Sequence, residues 1–581
     1  VRAAAAGLPA NAWAYVVPTA LPFLFPLTAG PSVNVWQLLM SWACAVGLWL
    51  LAPRASIAPR LAAWLASTIF LLLCGRGAGW SATLPAALSV VVVFLSACAG
   101  AGMVGANSSH PVRSAAGPTG EGDQRGKGCD GVGVGGWAWG LLVAGLASGV
   151  LGLFQYYGLA DALVPFASAP DVGQAHGNLR QRNQFASLIS MAMIALLWLH
   201  ASRHVGRASG HRWFVAASAV VLVVASAAST SRTGLLQLLL VAGIAAFIGW
   251  RERRVASKGE ARSRLPHRMP HPVWAVAAIA LYFAAATLLP LLATQGVEGM
   301  LHRLREGPDT HSRLVLWRNV LDLIAVHPWI GWGWGELKYA HFVTFFDRQP
   351  RFAEILDNAH NLPLHLAVEL GVPAALLICG GFGLLVLASR PWREGHADRL
   401  LAWGVLGVIL LHSLLEYPLW YGPFQVVFGV ALGVLWARAP TRTGSAFEAV
   451  TAATAAAILA AIAYAAFDYT RVSQLYVARD ERLARWRDDT LQKLGPSWLF
   501  ADYQDFARLA LTPVTTANAE ATHRLATRVL HFSPEPRVLA KAIESARLLG
   551  LSDEAAALSK RFERAFPEAY SEWTSGRLED N

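Results

Sequence analysis

The sequence predicts an all-α polytopic membrane protein of about 12–13 transmembrane helices, with a large extracytoplasmic loop over residues 293–362 and a water-soluble helical tail. Composition is the first reason. The 581 residues are 55% hydrophobic and only 15% charged, with a mean hydropathy of +0.41, whereas a soluble chain carries about 25% charged residues. Apolar length is the second, since thirteen apolar runs approach the roughly 20 residues that a helix needs to cross a ~30 Å hydrocarbon core. Charge placement is the third, because Lys and Arg gather on alternate loops.

The runs fall near 13–28, 33–52, 61–74, 84–103, 137–158, 184–200, 213–228, 233–250, 273–292, 363–388, 400–415, 423–437 and 448–467. Trp13, Trp36, Trp80, Trp137, Trp213 and Trp274 stand near their ends, where amphipathic rings favour the headgroup region. The first run lacks a small-residue cleavage site and reads as an uncleaved anchor. With the N-terminus inside, the cytoplasmic loops hold twenty-one Lys and Arg, against four (Arg76, Arg180, Arg182 and Arg232) in the short outer loops. That bias places the large loop and the tail together on the outer side.

The Gly- and Ser-rich stretch 104–136 reads as a cytoplasmic linker. The five cysteines show no CxxC spacing, so neither a zinc site nor a disulfide framework is expected. The net charge of +11 is explained by topology and anionic headgroups, not by nucleic acid. Two domains follow: a membrane domain over 1–467 and a tail over 468–581. In the tail, apolar residues at helical spacing suggest stacked hairpins loosely similar to tetratricopeptide repeats, with Gly550 ending one helix.

Chemistry-bearing residues gather at the outer face. HGNLRQRNQ brings Arg180, Gln181, Arg182 and Asn183, and STSRTG brings Arg232, both against the positive-inside bias. The large loop contains HSRLVLWRNVLDLIAVHP, with Arg313 and Arg318, then the turn WIGWGWGE, and ends in DNAHNLPLHLAVELG. His360 and Asn361 fall where that loop re-enters the membrane, a place where an imidazole can exchange a proton near neutral pH. His365 with Glu369, and His412 with Glu416, recur at i, i+4, so each Glu is expected to satisfy its His on one helix face.

In order and topology these strings, with HSLLEYPLWYGPF, resemble the O-antigen ligase and Wzy polymerase superfamily, and within it the bacterial protein O-oligosaccharyltransferases of the PglL type. The resemblance implies a fold like the GT-C glycosyltransferases in the inner membrane. It also implies en bloc transfer of an oligosaccharide from undecaprenyl diphosphate to Ser or Thr hydroxyls of periplasmic or pilin-like proteins, inverting and without metal or cofactor. By motif, His360 matches the essential loop histidine, Arg232 the short SR motif and Arg313 the arginine opening the loop helix. Arg182, with Arg180 as its neighbour, matches the RQRN arginine. Gln181, Asn183, Asn361, Glu369, His412, Glu416 and Tyr417 are expected to support them. An O-antigen ligase or a Wzy-type polymerase is the alternative of the same chemistry, and a transporter or flippase the alternative of another class.

Overall fold

The computed structural model describes residues 12–75, 80–105, 132–168, 172–202, 209–257, 269–293, 299–300, 313–347, 350–440 and 444–577. Most of the 104–136 linker, the basic loop around Lys258 and parts of the large loop lie outside these residues. The membrane part is built from α1 (Trp13–Leu24), α2 (Val35–Leu51), α3 (Pro59–Cys74), α4 (Trp80–Gly105), α5 (Val132–Tyr156), α6 (Arg182–Ala201), α7 (Ser209–Ala228), α8 (Arg232–Ser257) and α9 (Val273–Leu291). The loop helices α10 (Arg313–Val326) and α11 (Leu337–Val343) follow. Then come α12 (Leu362–Leu370), α13 (Val372–Arg393), α14 (Ala397–Ser413), α15 (Gly422–Leu435) and α16 (Ser445–Ser473).

Among the described residues seven helices are long and apolar enough to cross a membrane, and five further apolar helices are shorter. Every predicted run coincides with a helix, but one departs from expectation. The run 363–388 breaks at Gly371, where φ is +89°, with Pro373 just beyond it. Neither a left-handed residue nor a proline lacking its N–H continues a helix. The nine-residue α12, about 14 Å long at 1.5 Å per residue, is therefore too short to span, and α13 makes the crossing.

In lipid, helices associate through close backbone approach more than through hydrophobicity. Accordingly α15 lies against α4 through small residues: a Cβ at Gly433 would strike the Ala97 carbonyl, and one at Gly100 the Val430 carbonyl. This contact fixes the segment that leads into α15, which carries Glu416. Two short strands, β1 (Ala55–Ile57) and β2 (Ala437–Pro440), pair antiparallel and tie the loops after α2 and α15 together.

α16 runs through the boundary expected at 467 and ends in the tail, where buried Asp468 accepts from Ser497 Oγ at 2.8 Å. The tail helices are α17 (Ala501–Leu511), α18 (Ala519–Phe532), α19 (Pro536–Leu548), α20 (Ser552–Ala565) and α21 (Pro567–Thr574). They share a core that includes Val529, Leu539, Ile543 and Phe562. Gly550 (φ +74°) ends the α19 turn, the left-handed stop that glycine favours. The tail also grips the large loop. Phe342 of α11 enters the tail core, His531 Nδ1 meets Glu336 at 2.7 Å, and the His531 ring stacks on Tyr339.

Candidate functional site

Four chain segments start helices at one place. Gln181 caps α6 by accepting from the Gln184 amide at 2.7 Å, so Arg182 is the first residue of that helix. Ser231 Oγ accepts the Gly234 amide at 2.9 Å, putting Arg232 first in α8. Arg313 opens α10. Asn361 caps α12 by accepting from Leu364 N at 3.1 Å and donates to the Leu414 carbonyl at 3.0 Å. Helix starts present unpaired N–H groups and positive dipole ends, which favour anions.

Glu416 joins three of these segments. One carboxylate oxygen accepts from Asn183 Nδ2 at 2.8 Å and from the Arg313 guanidinium; the other lies 2.6 Å from His360 Nδ1. Asn183 Oδ1 in turn accepts from Ser231 Oγ at 2.6 Å, which brings in the fourth segment beside Arg232. Burial alone would raise the Glu416 carboxyl. The hydrogen bond from His360, with the charge of Arg313, outweighs it and holds the group below the ordinary carboxylate range. A carboxylate at Nδ1 fixes the tautomer with the proton on Nδ1 and leaves Nε2 as an acceptor.

Backbone strain gathers here as well. His360 has φ +49° and Thr230 φ +49°, values that non-glycine residues rarely adopt. The His360 amide donates to Asn358 Oδ1 at 2.9 Å, which locks the turn. The edge of the Tyr417 ring meets the His360 ring at 5.0 Å between centroids.

Three family models match the chain in series: protein glycosylation ligase over 175–200, O-antigen ligase over 217–379, and the C-terminal part of a virulence factor membrane-bound polymerase over 400–578. The first covers Asn183, the second Ser231, Arg313 and His360, and the third Glu416. Together the matches support a place for the chain in the O-antigen ligase and Wzy polymerase superfamily, on its PglL-type branch. It is 23% identical to a general O-oligosaccharyltransferase of Acinetobacter baylyi, over 52% of this chain and 50% of that protein. It is 27% identical to a ComP-specific O-oligosaccharyltransferase of the same organism, over 21% and 22%. The chain thus spans about half the length of the first relative and about a fifth of the second.

Measured against the superfamily strings, the structure brings His360, Arg313, Asn183 and Glu416 into direct contact and sets Gln181, Asn361 and Tyr417 around them. Arg182 is half-buried and Arg232 exposed at their helix starts. Arg180 does other work: its guanidinium donates to the carbonyls of Val33, Pro26 and Leu27 and fastens the loop after α1. His365 does pair with Glu369, at 3.3 Å and buried, between the rings of Trp334 and Trp420.

The expected pairing of His412 with Glu416 does not form. α14 ends at Ser413, so the chain turns before Glu416 and carries it off the helix face toward His360. His412 Nδ1 instead meets Ser187 Oγ at 2.9 Å. Ser187, Ser231 and Asn358 were not singled out by sequence. Only Ser231 carries a readable signal, a serine just before a helix start.

Proposed function

We propose that this chain transfers an oligosaccharide en bloc from undecaprenyl diphosphate to Ser or Thr hydroxyls of proteins, pilin-like ones included, at the periplasmic face of the inner membrane. The observation that carries it is the 2.6 Å contact between His360 Nδ1 and the Glu416 carboxylate. In that arrangement Nε2 takes the proton of the acceptor hydroxyl. The oxygen bonds the anomeric carbon as the carbon–oxygen bond to the diphosphate breaks, and direct attack inverts that centre. The leaving diphosphate takes the bonding pair, and its charge meets Arg232, Arg313 and Arg182 beside three helix starts. One end of Arg313 is held by Glu416, and a guanidinium keeps further donors for phosphate oxygens.

The match to a protein glycosylation ligase over 175–200 favours a protein acceptor. The O-antigen ligase and polymerase matches keep a second reading in play, with lipid A core or another glycan as acceptor. Expression with a lipid-linked glycan pathway and a pilin-like acceptor separates them. Glycan on protein supports the proposal, glycan on lipid A core or in longer glycan chains supports the second reading, and glycan on nothing removes both.

A further inference from the structure

Where the large loop meets the tail, a pocket of about 260 Å3 opens between the residues after α11 and helix α20. Arg351 of the loop and Arg561 and Arg564 of the tail line it, with Thr344, Phe345 and Phe346. The lining holds one carboxylate, Asp347, which pairs with Arg564 at 3.1 Å. Arg351 and Arg561 each bury an Nε–H that finds no acceptor among the described residues. Arg351 gives another N–H to the His341 carbonyl, while Arg561 and Arg564 lean on the Phe345 ring at 5.9 and 4.9 Å from its centroid. These contacts hold the guanidiniums in place, and neither the His341 carbonyl nor the Phe345 ring neutralises Arg351 or Arg561. A buried cationic donor lacking an acceptor is costly, and an anion entering the pocket removes that cost for two arginines at once.

We propose that the pocket binds an acidic side chain of the acceptor protein and so docks the acceptor beside the loop that carries His360. This rests on the protein-acceptor reading above. The pocket's size suits a single carboxylate, and guanidinium forks match that group's two oxygens. A third of the lining, two of its three arginines included, comes from the tail, the water-soluble part of the chain, which a protein meets and a lipid-held diphosphate does not. Arg351 lies nine residues before His360, so at most about 30 Å of extended chain separates pocket and imidazole. A folded acceptor spans that distance while its hydroxyl reaches the site.

The test uses the full chain in detergent, with saturation-transfer NMR against acetyl-aspartate amide, glucuronate and inorganic phosphate as separate probes. Arg561→Gln removes one cation. Thr344→Trp fills the pocket and keeps every charge. Both are checked by gel filtration for the parental profile. The expected result is saturation transfer to acetyl-aspartate amide that both variants lose. In transfer assays, KM for an acidic acceptor protein should rise about tenfold, the scale of one charge-assisted contact, with kcat and the donor KM unchanged. Preference for glucuronate or phosphate, or a shift in the donor KM, overturns the proposal by assigning the pocket to the donor. Protein glycosylation with an unchanged acceptor KM in both variants overturns it alone. Transfer only to lipid A core removes the functional reading, and the acceptor assignment with it.

Discussion

At the scale of single residues, the proposed mechanism divides chemistry and positioning between His360 and Glu416. Glu416→Gln keeps the shape but offers an amide where a carboxylate stood, so the tautomer and the developing imidazolium lose their support. Transfer should fall by about 10² to 10⁴, the range that positioned base catalysis contributes, while donor binding changes little. His360→Ala should abolish turnover with the same retained binding, measured as lipid-linked glycan retained by purified protein. Parental turnover in either well-folded variant would remove the dyad. For the arginines, Arg232→Ala and Arg313→Ala should each nearly abolish transfer. Lys should rescue poorly at both positions, because a point charge cannot replace the fork. At Arg313 the loss should be compounded, since the same side chain holds Glu416. Acid tests the carboxylate from another side. Glu416 is depressed in the folded protein, so its ion pairs contribute stability that is present above the unfolded value of about 4.3. That stability is lost as pH falls through the lower folded value. Protease protection of the loop should therefore hold at neutral pH and fail only in strong acid, and Glu416→Gln should remove this acid step.

At the scale of elements, the Gly- and Trp-rich turn anchors the large loop. Trp332 N donates to the Val368 carbonyl at 2.9 Å and Gly333 N to that of Glu369 at 3.0 Å, so the turn runs beside the end of α12. Gly331 (φ +66°) and Gly371 (φ +89°) make this possible, because a Cβ on either would collide with the backbone opposite. Alanine at either position should cost about 1–3 kcal/mol in strain, seen as faster loop proteolysis and lower activity with the tail still folded. Unchanged proteolysis would mean that the loop is anchored elsewhere. The same elements mark what was legible in sequence. Apolar length and basic loops located the helices, but the caps that place Arg232 and His360, Ser231 and Asn361, were not read as caps. The break at Gly371 was written as Gly-Val-Pro but was masked by continuous hydrophobicity over 363–388. Glu416 was assigned to the wrong histidine because i, i+4 spacing holds only while the helix lasts, and a contact over 56 residues leaves no periodic trace.

At the scale of the molecule, the loop and the tail must lie on one side of the membrane, because they share a core. Phe342 sits among tail residues, and Lys338 Nζ donates to the Phe532 carbonyl at 3.3 Å. No membrane is needed to reach that conclusion, but which side it is rests on charge. From twenty-one basic residues on the other set of loops against four, we propose an outside position for the loop, the site and the tail. Single cysteines at Asp357 and at a tail position such as Arg485 should therefore react with an impermeant maleimide added outside intact spheroplasts. A cysteine at Lys258 should react only after permeabilisation. Two kinds of failure mean different things. Labelling of Asp357 and Arg485 on opposite sides would contradict the packing itself. Both inside, with Lys258 outside, would leave the packing intact but reverse the orientation, and the lipid-linked donor and acceptor protein would then have to be cytoplasmic.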